Sequence, residues 1–363
     1  MKKKRYNQVI SISFLLFIFL GFFAFLFLPK PTYSESERRE LAKKPTLSVN
    51  AVFSGHYMKD FEKYMMDTFI GRDAFRQIKA YCAQHVFLNA DNNGIYKKDG
   101  HLVKMDYPYN KESVKRATDR FQQILTLLED DVKDVYISII PDKGFYLNDD
   151  HAHLSYDFKQ LEEQVTSAIP ATYIPLYDIL DKDDYYKSDL HWRQEQLLPI
   201  ANRFASALGV RIDQEYEIKK VEQPFYGVYA KQASSKDADV LYYLNHDRVK
   251  DYEIYDHQNQ KEISFFDLEK AQGRDPYEAF LSGPLSYVTI KNKQATTHKK
   301  LLVFRDSFSS SLMPLLSSGY EEISLVDIRY IRFEQLQDKI DATNADVLFL
   351  YNSYVYNHSE VLK

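Results

Sequence analysis

Leu301-Leu302-Val303-Phe304-Arg305-Asp306-Ser307-Phe308-Ser309 is an apolar strand, a short polar turn and a serine-rich helix start in succession. In an open α/β sheet, ligands gather just beyond the carboxyl ends of the strands. A serine at such a junction presents its hydroxyl, and N–H groups of the opening helical turn can face a developing oxyanion. Ser307 or Ser309 would serve equally as a plain helix N-cap.

The surrounding sequence repeats this rhythm. Short apolar runs at Val135–Ile140, Thr172–Leu176, Ile323–Val326 and Val347–Tyr351 read as strands. Helical patterns fall near Lys111–Glu129, Phe158–Ser167 and Arg193–Leu208, after Ser307, and around Phe333–Ile340, with Gly209 a helix stop. Continuous apolar strands joined by helices predict an α/β fold with a parallel sheet covered on both faces. Val210–Lys299 departs from the rhythm: short tyrosine-rich alternating runs predict a β-rich insertion. Upstream, Gly55 to about Asn89 has helical spacing that Gly71 should divide, and Asn93-Gly94 and Asp99-Gly100 signal a hairpin.

Lys2, Lys3, Lys4 and Arg5 precede an uncharged run from Val9 to Leu28 that Pro29-Lys30-Pro31 ends. About twenty residues of helix span about 30 Å, the thickness of a bilayer core. Residues 9–28 therefore read as a transmembrane anchor, 1–8 as a cytoplasmic tail, 29–54 as a juxtamembrane linker and 55–363 as the catalytic body, with 210–299 its insertion. A cleaved signal peptide would deliver the body to the same outer side. The net charge of −5 and the lack of a basic stripe beyond the N-terminus argue against nucleic acid as a partner. The single cysteine, Cys82, excludes an intramolecular disulfide and a cysteine-based zinc cluster, and its helical setting suggests a buried small hydrophobe. The 29 tyrosines suit sugar-binding grooves, and they suit sheet packing as well.

Tyr185-Tyr186-Lys187-Ser188-Asp189-Leu190-His191-Trp192 carries the second chemical signal. Residues two apart share a side only in extended backbone, so Asp189 can orient the His191 ring if the segment is a loop before the Arg193 helix. A serine needs a base and the base an orienting carboxylate, so the two blocks complete each other: Ser307 as nucleophile, His191 as base, Asp189 as orienter. Further candidates for oxyanion or substrate contact are Lys143 and Asn352 with Tyr351, each just past a strand, and Trp192 and Arg305, which flank the base and the nucleophile. His151 and His153 follow Asp149-Asp150, but no third ligand stands at a recognised spacing, so no metal and no cofactor is expected.

Tyr185–Trp192 (YYKSDLHW) resembles the signature of the bacterial DHHW family, with Leu190 in place of that family's second-position histidine and the flanking Asp189 and His191 intact. Arg305-Asp306-Ser307-Phe308 resembles its nucleophile block, and Tyr320–Tyr330 and Glu37-Arg38-Arg39-Glu40-Leu41 resemble further parts. The group is similar to the SGNH-hydrolase-like O-acetyltransferases of alginate acetylation, in which the Asp-x-His block precedes the serine, as here. The resemblance implies an SGNH-hydrolase-like fold and acetylation of a cell-surface or secreted polysaccharide acceptor. It also implies a membrane-bound O-acyltransferase as the source of acetyl groups. An acetylesterase using the same residues, or a non-catalytic polysaccharide-binding assembly protein, stays open at this level.

Overall fold

The computed structural model describes residues 2–34, 39–128, 131–148 and 153–363. Glu37, Arg38, Glu129, Asp149, Asp150 and His151 lie outside them. The chain divides into two compact units, Met1–Asn93 with Lys231–Ser235, and Gly94–Ala230 with Lys236–Lys363.

In the first unit a helix covers Lys2–Phe27, and its Arg5–Phe27 portion is long and apolar enough to cross a membrane. Tyr33–Ser34 pairs with Arg39–Glu40 in the segment expected to be a plain linker. Helices follow at Val49–Phe53, His56–Asp67 and Arg72–Tyr81. Gly71, at φ 70°, parts the last two as expected, since a left-handed residue there favours glycine. Cys82 opens a π-helical turn, Cys82–Val86, and is half-buried rather than buried. These helices group with the N-terminal segment, and the second compact unit begins at Gly94.

The second unit is built on an eight-stranded sheet in the order Lys261–Ile263, Tyr252–Asp256, Tyr287–Asn292, Glu322–Val326, Lys300–Arg305, Ala345–Asn352, Val132–Ile140, Thr172–Tyr173. The last five are mutually parallel and the first three antiparallel. The expected parallel sheet is thus a mixed one. Three strands of the expected insertion extend it, and only Glu217–Phe225 with Asp239–Asn245 forms a separate hairpin. Helical patterns also shorten on folding. Arg193–Leu208 becomes a 3-10 turn at Gln194–Gln196 and a helix at Leu198–Ala207, while Phe333–Ile340 yields two 3-10 turns. The predicted hairpin forms at Ile95–Lys98 and His101–Lys104, with Asp99 and Gly100 both left-handed.

Period-two alternation sorts the core into two layers. Leu301, Val303, Leu348 and Leu350 join one cluster; Leu302, Phe304, Val347 and Phe349 join the other. Each such side chain contributes about 1.5–3 kcal/mol on burial. The chain leaves Val132–Ile140 toward one edge of the sheet and Lys300–Arg305 toward the opposite edge. A crevice therefore opens above Ala345–Asn352, at the topological switch point, where α/β sheets place their ligands.

Candidate active site

The Arg305–Ser309 turn is fixed by its own side chains. The Asp306 carboxylate accepts the Phe308 N–H (3.0 Å) through one oxygen and the Asn352 N–H (2.7 Å) through the other, tying the turn to the neighbouring strand end. Ser309 Oγ donates to the Asp306 carbonyl (2.9 Å), and the helix Ser309–Leu316 begins there. Ser307 is left at the head of this helix, half-buried, with its hydroxyl toward the crevice. Among the described residues the Ser307 N–H has no acceptor.

Asp189 and His191 lie on a bent, non-helical loop. A bridge between Tyr185 and Trp192 and the Tyr186 N–H bond to the His191 carbonyl (3.1 Å) close it into a narrow turn. Within it Asp189 Oδ1 lies 2.6 Å from His191 Nδ1 and 3.0 Å from the His191 N–H, and Asp189 Oδ2 accepts the Val228 N–H at 2.7 Å. A carboxylate only accepts, so Nδ1 carries the proton and Nε2 presents a lone pair. That Nε2 lies 2.8 Å from Ser307 Oγ. Asp189 is fully buried and His191 nearly so. The structure brings these three residues into one hydrogen-bonded line.

The loop is held from below and from both sides. Lys143 is fully buried, and its ammonium donates to the carbonyls of Tyr186 (2.8 Å), Lys187 (3.2 Å) and Asp189 (2.7 Å). Burial pulls its pKa down to about 8 against the opposing pull of Asp142, Asp189 and Asp239. All three of its donors go to backbone, so Lys143 shapes the loop rather than facing the crevice. Asp239 accepts the N–H groups of Lys187 and Ser188 (2.9 and 2.7 Å) and the Ser188 hydroxyl (2.6 Å). Gly227 presses against the other side: a Cβ there would lie 2.3 Å from the Ser188 carbonyl oxygen and 2.4 Å from Asp189 Cβ.

The remaining candidates occupy supporting places. Trp192 donates Nε1–H to the Phe308 carbonyl (3.0 Å) and Ser311 Oγ (2.9 Å), locking the Asp189–His191 loop to the helix Ser309–Leu316. Arg305, fully buried, donates to Ser310 Oγ (2.7 Å) and the Leu285 carbonyl (3.3 Å) beneath the turn. Asn352 Oδ1 accepts the Tyr354 N–H (2.9 Å) and one amide hydrogen goes to the Ile140 carbonyl (3.2 Å), which leaves the other. Tyr351 packs on Phe121 (5.2 Å) in the layer opposite the one holding Trp192 and Phe308. Alternation along the strand turns it away from their side of the sheet. His153 stacks on Tyr96 at 3.6 Å. Among the described residues no three His, Cys, Asp or Glu converge as a metal site.

Sequence reading missed Tyr277. Its ring stacks on His191 with centroids 3.7 Å apart and planes 9° apart, and its hydroxyl pairs with Ser311 Oγ at 2.9 Å. This face-on cover fixes the imidazole plane. Nothing in the spacing of Asp275-Pro276-Tyr277 announces it, nor the Val228 N–H, because both reach the site from the tyrosine-rich segment through tertiary folding.

No family model matches the chain, and no curated protein does. The fold is similar to that of a DHHW family protein from Eubacterium siraeum, at 20% identity over 75% of this chain and 94% of that one, with a TM-score of 0.61. It is also similar to Bacillus cereus PatB1, solved with a sulfonyl adduct, at 17% identity over 72% and 97% of the two chains, with a TM-score of 0.57. The O-acetyltransferase domain of Pseudomonas putida AlgJ aligns more loosely, at 11% identity over 73% and 92%, with a TM-score of 0.46. At these identities the likeness is one of fold.

Proposed function

We propose that the chain is an extracytoplasmic serine O-acetyltransferase that acetylates a cell-surface or secreted polysaccharide. The observation that carries this reading is the buried line from Asp189 through His191 to Ser307, with spacings of 2.6 and 2.8 Å. His191 Nε2 takes the Ser307 proton as Oγ attacks the acetyl carbonyl of a donor ester. The donor's C–O bond breaks, its alkoxide takes that proton from His191, and acetyl-Ser307 remains. A sugar hydroxyl then gives its proton to Nε2 and attacks the acyl carbon, and departing Ser307 Oγ is reprotonated. Asp189 stabilises the imidazolium that forms in each half. The Ser307 N–H and the remaining amide hydrogen of Asn352 are the donors for the oxyanion.

Acetyl transfer as the reaction rests on the YYKSDLHW and RDSF blocks and their reversed order. The basic cluster before the apolar helix supports a cytoplasmic N-terminus with the body outside. A membrane-bound acyltransferase then supplies acetyl groups, since acetyl-CoA stays in the cytosol. The test offers the full chain in detergent an acetyl-ester donor, with and without an oligosaccharide acceptor, beside Ser307→Ala. Acetylated sugar made by the parent and not by the variant supports the reading. Equal turnover by Ser307→Ala refutes serine chemistry, and acetate release without acetylated sugar assigns hydrolysis instead.

A further inference from the structure

A cavity of about 540 Å³ opens on the same carboxyl-end rim, and neither Ser307, His191 nor Asp189 lines it. It is lined by Asp142, Gly144 and Phe145 after one strand, by Ser353 after the neighbouring strand, by Lys104 and Asp106, and by the segment Leu154–Phe158. Three properties set what it can hold.

The first is an aromatic surface. Phe145 is 46% exposed at the cavity, backed edge-on by Tyr146 (5.0 Å) and at a tilt by Phe158 (5.2 Å), while Tyr156 is propped on Tyr109 (5.5 Å). Rigid rings of this kind offer a flat apolar face to the C–H side of a sugar. The second is an unsatisfied acceptor. Asp106 takes Asn357 Nδ2 and His358 Nε2 on one carboxylate oxygen, both at 2.9 Å, while Oδ2 is buried with no partner among the described residues. Oδ2 is sealed from solvent in this structure, so it meets a ligand hydroxyl when the side chain turns toward the cavity, and the bond is then charge-assisted. The third is charge. Asp106 and Asp157 line the cavity with one lining ammonium, that of Lys104, which is turned onto Tyr354 and donates to its hydroxyl at 3.2 Å; Asp142 also lines it, but burial raises its pKa and the Lys143 ammonium opposes its charge. A carboxylate-bearing ligand would be repelled.

We propose that this cavity binds an uncharged pyranose unit of a glycan and excludes uronates. Asp142 and Gly144 flank Lys143, which holds the Asp189 loop, so a sugar seated here occupies the rim from which that loop is positioned. The polysaccharide-acceptor reading enters only in making this unit part of the acceptor chain; binding itself does not depend on it.

The test is titration calorimetry on the full chain in detergent micelles. The probes are tetramers of glucose, of mannose and of N-acetylglucosamine, and a uronic acid tetramer. At least one neutral tetramer binds and the uronic acid tetramer does not. Phe145→Ala, which loses the contacts with Tyr146 and Phe158 and is checked to be folded by far-UV circular dichroism, weakens the neutral tetramer about tenfold, as does Asp106→Asn. Ser307→Ala binds as the parent does, so loss of acetyl transfer and loss of this site are separately visible. Binding by no neutral tetramer, equal binding of the uronate, or an unchanged affinity in Phe145→Ala overturns the assignment.

Discussion

Replacing Lys143 by methionine keeps the length of the side chain and removes three donors from under the Asp189 loop. Each bond from a charged donor to a buried carbonyl is worth about 1.5–3 kcal/mol. Against this stands the strain of burying the ammonium: a fall from 10.5 to about 8 corresponds to about 3 kcal/mol against the charged form. The net cost of Lys143→Met is therefore about 1.5–6 kcal/mol, read as a lower denaturant midpoint. The larger effect is on turnover. With the carbonyls of Tyr186, Lys187 and Asp189 unheld, the carboxylate shifts against His191, and a displacement near 1 Å costs about 10²-fold in kcat. Lys143→Arg does not restore it, because a planar guanidinium cannot converge on three carbonyls around one nitrogen. There is also a pH signature. The folded value lies below the unfolded one, so between about pH 8 and 10.5 the unfolded chain holds more protons. Wild-type stability relative to Lys143→Met therefore rises with pH across that window and is lost again as pH falls through 8. A variant with kcat within about twofold of wild type would refute the positioning role of the lysine.

Further consequences concern the loop's other supports. Gly227→Ala forces a methyl to 2.3 Å from the Ser188 carbonyl oxygen, so it should lower kcat about 10²-fold while the sheet stays folded, as checked by far-UV circular dichroism. Tyr277→Ala removes the ring stacked on His191 and should lower kcat about tenfold or more. Tyr277→Phe loses only the Ser311 bond, so it should cost about 1 kcal/mol in thermal stability and little rate. His101 is buried, and burial, aided by Lys143 and Lys187, pulls its pKa down to about 4. Its contribution to stability is full above 6.5 and lost as pH falls through 4, so His101→Phe should flatten that acid limb by about 2–3 kcal/mol in urea titrations.

The parts of the fold that were legible in sequence are those set by local pattern. Leu301–Phe304 and Val347–Tyr351 alternate between two apolar layers, and a fully buried strand reads as a continuous apolar run. The antiparallel strands were less legible. Tyr252–Asp256 and Tyr287–Asn292 look like an insertion until their pairing partners are known, and register is a long-range property. At the site, Asp189, His191 and Ser307 announce themselves by residue type and by position after strands. Lys143 was legible only as a rim residue, because sequence does not say whether an ammonium points out or under a loop. Tyr277, Asp239 and the Val228 N–H were invisible, since each reaches the loop from a distant segment.

Mass spectrometry of the intact chain after brief exposure to an acetyl-ester donor, with no acceptor present, tests the central claim most directly. Ser307 should carry one acetyl group, and that group should disappear when an accepting oligosaccharide is added and be absent from His191→Ala. An unmodified Ser307, or acetylation at another residue that survives in Ser307→Ala and still reaches the sugar, would contradict it.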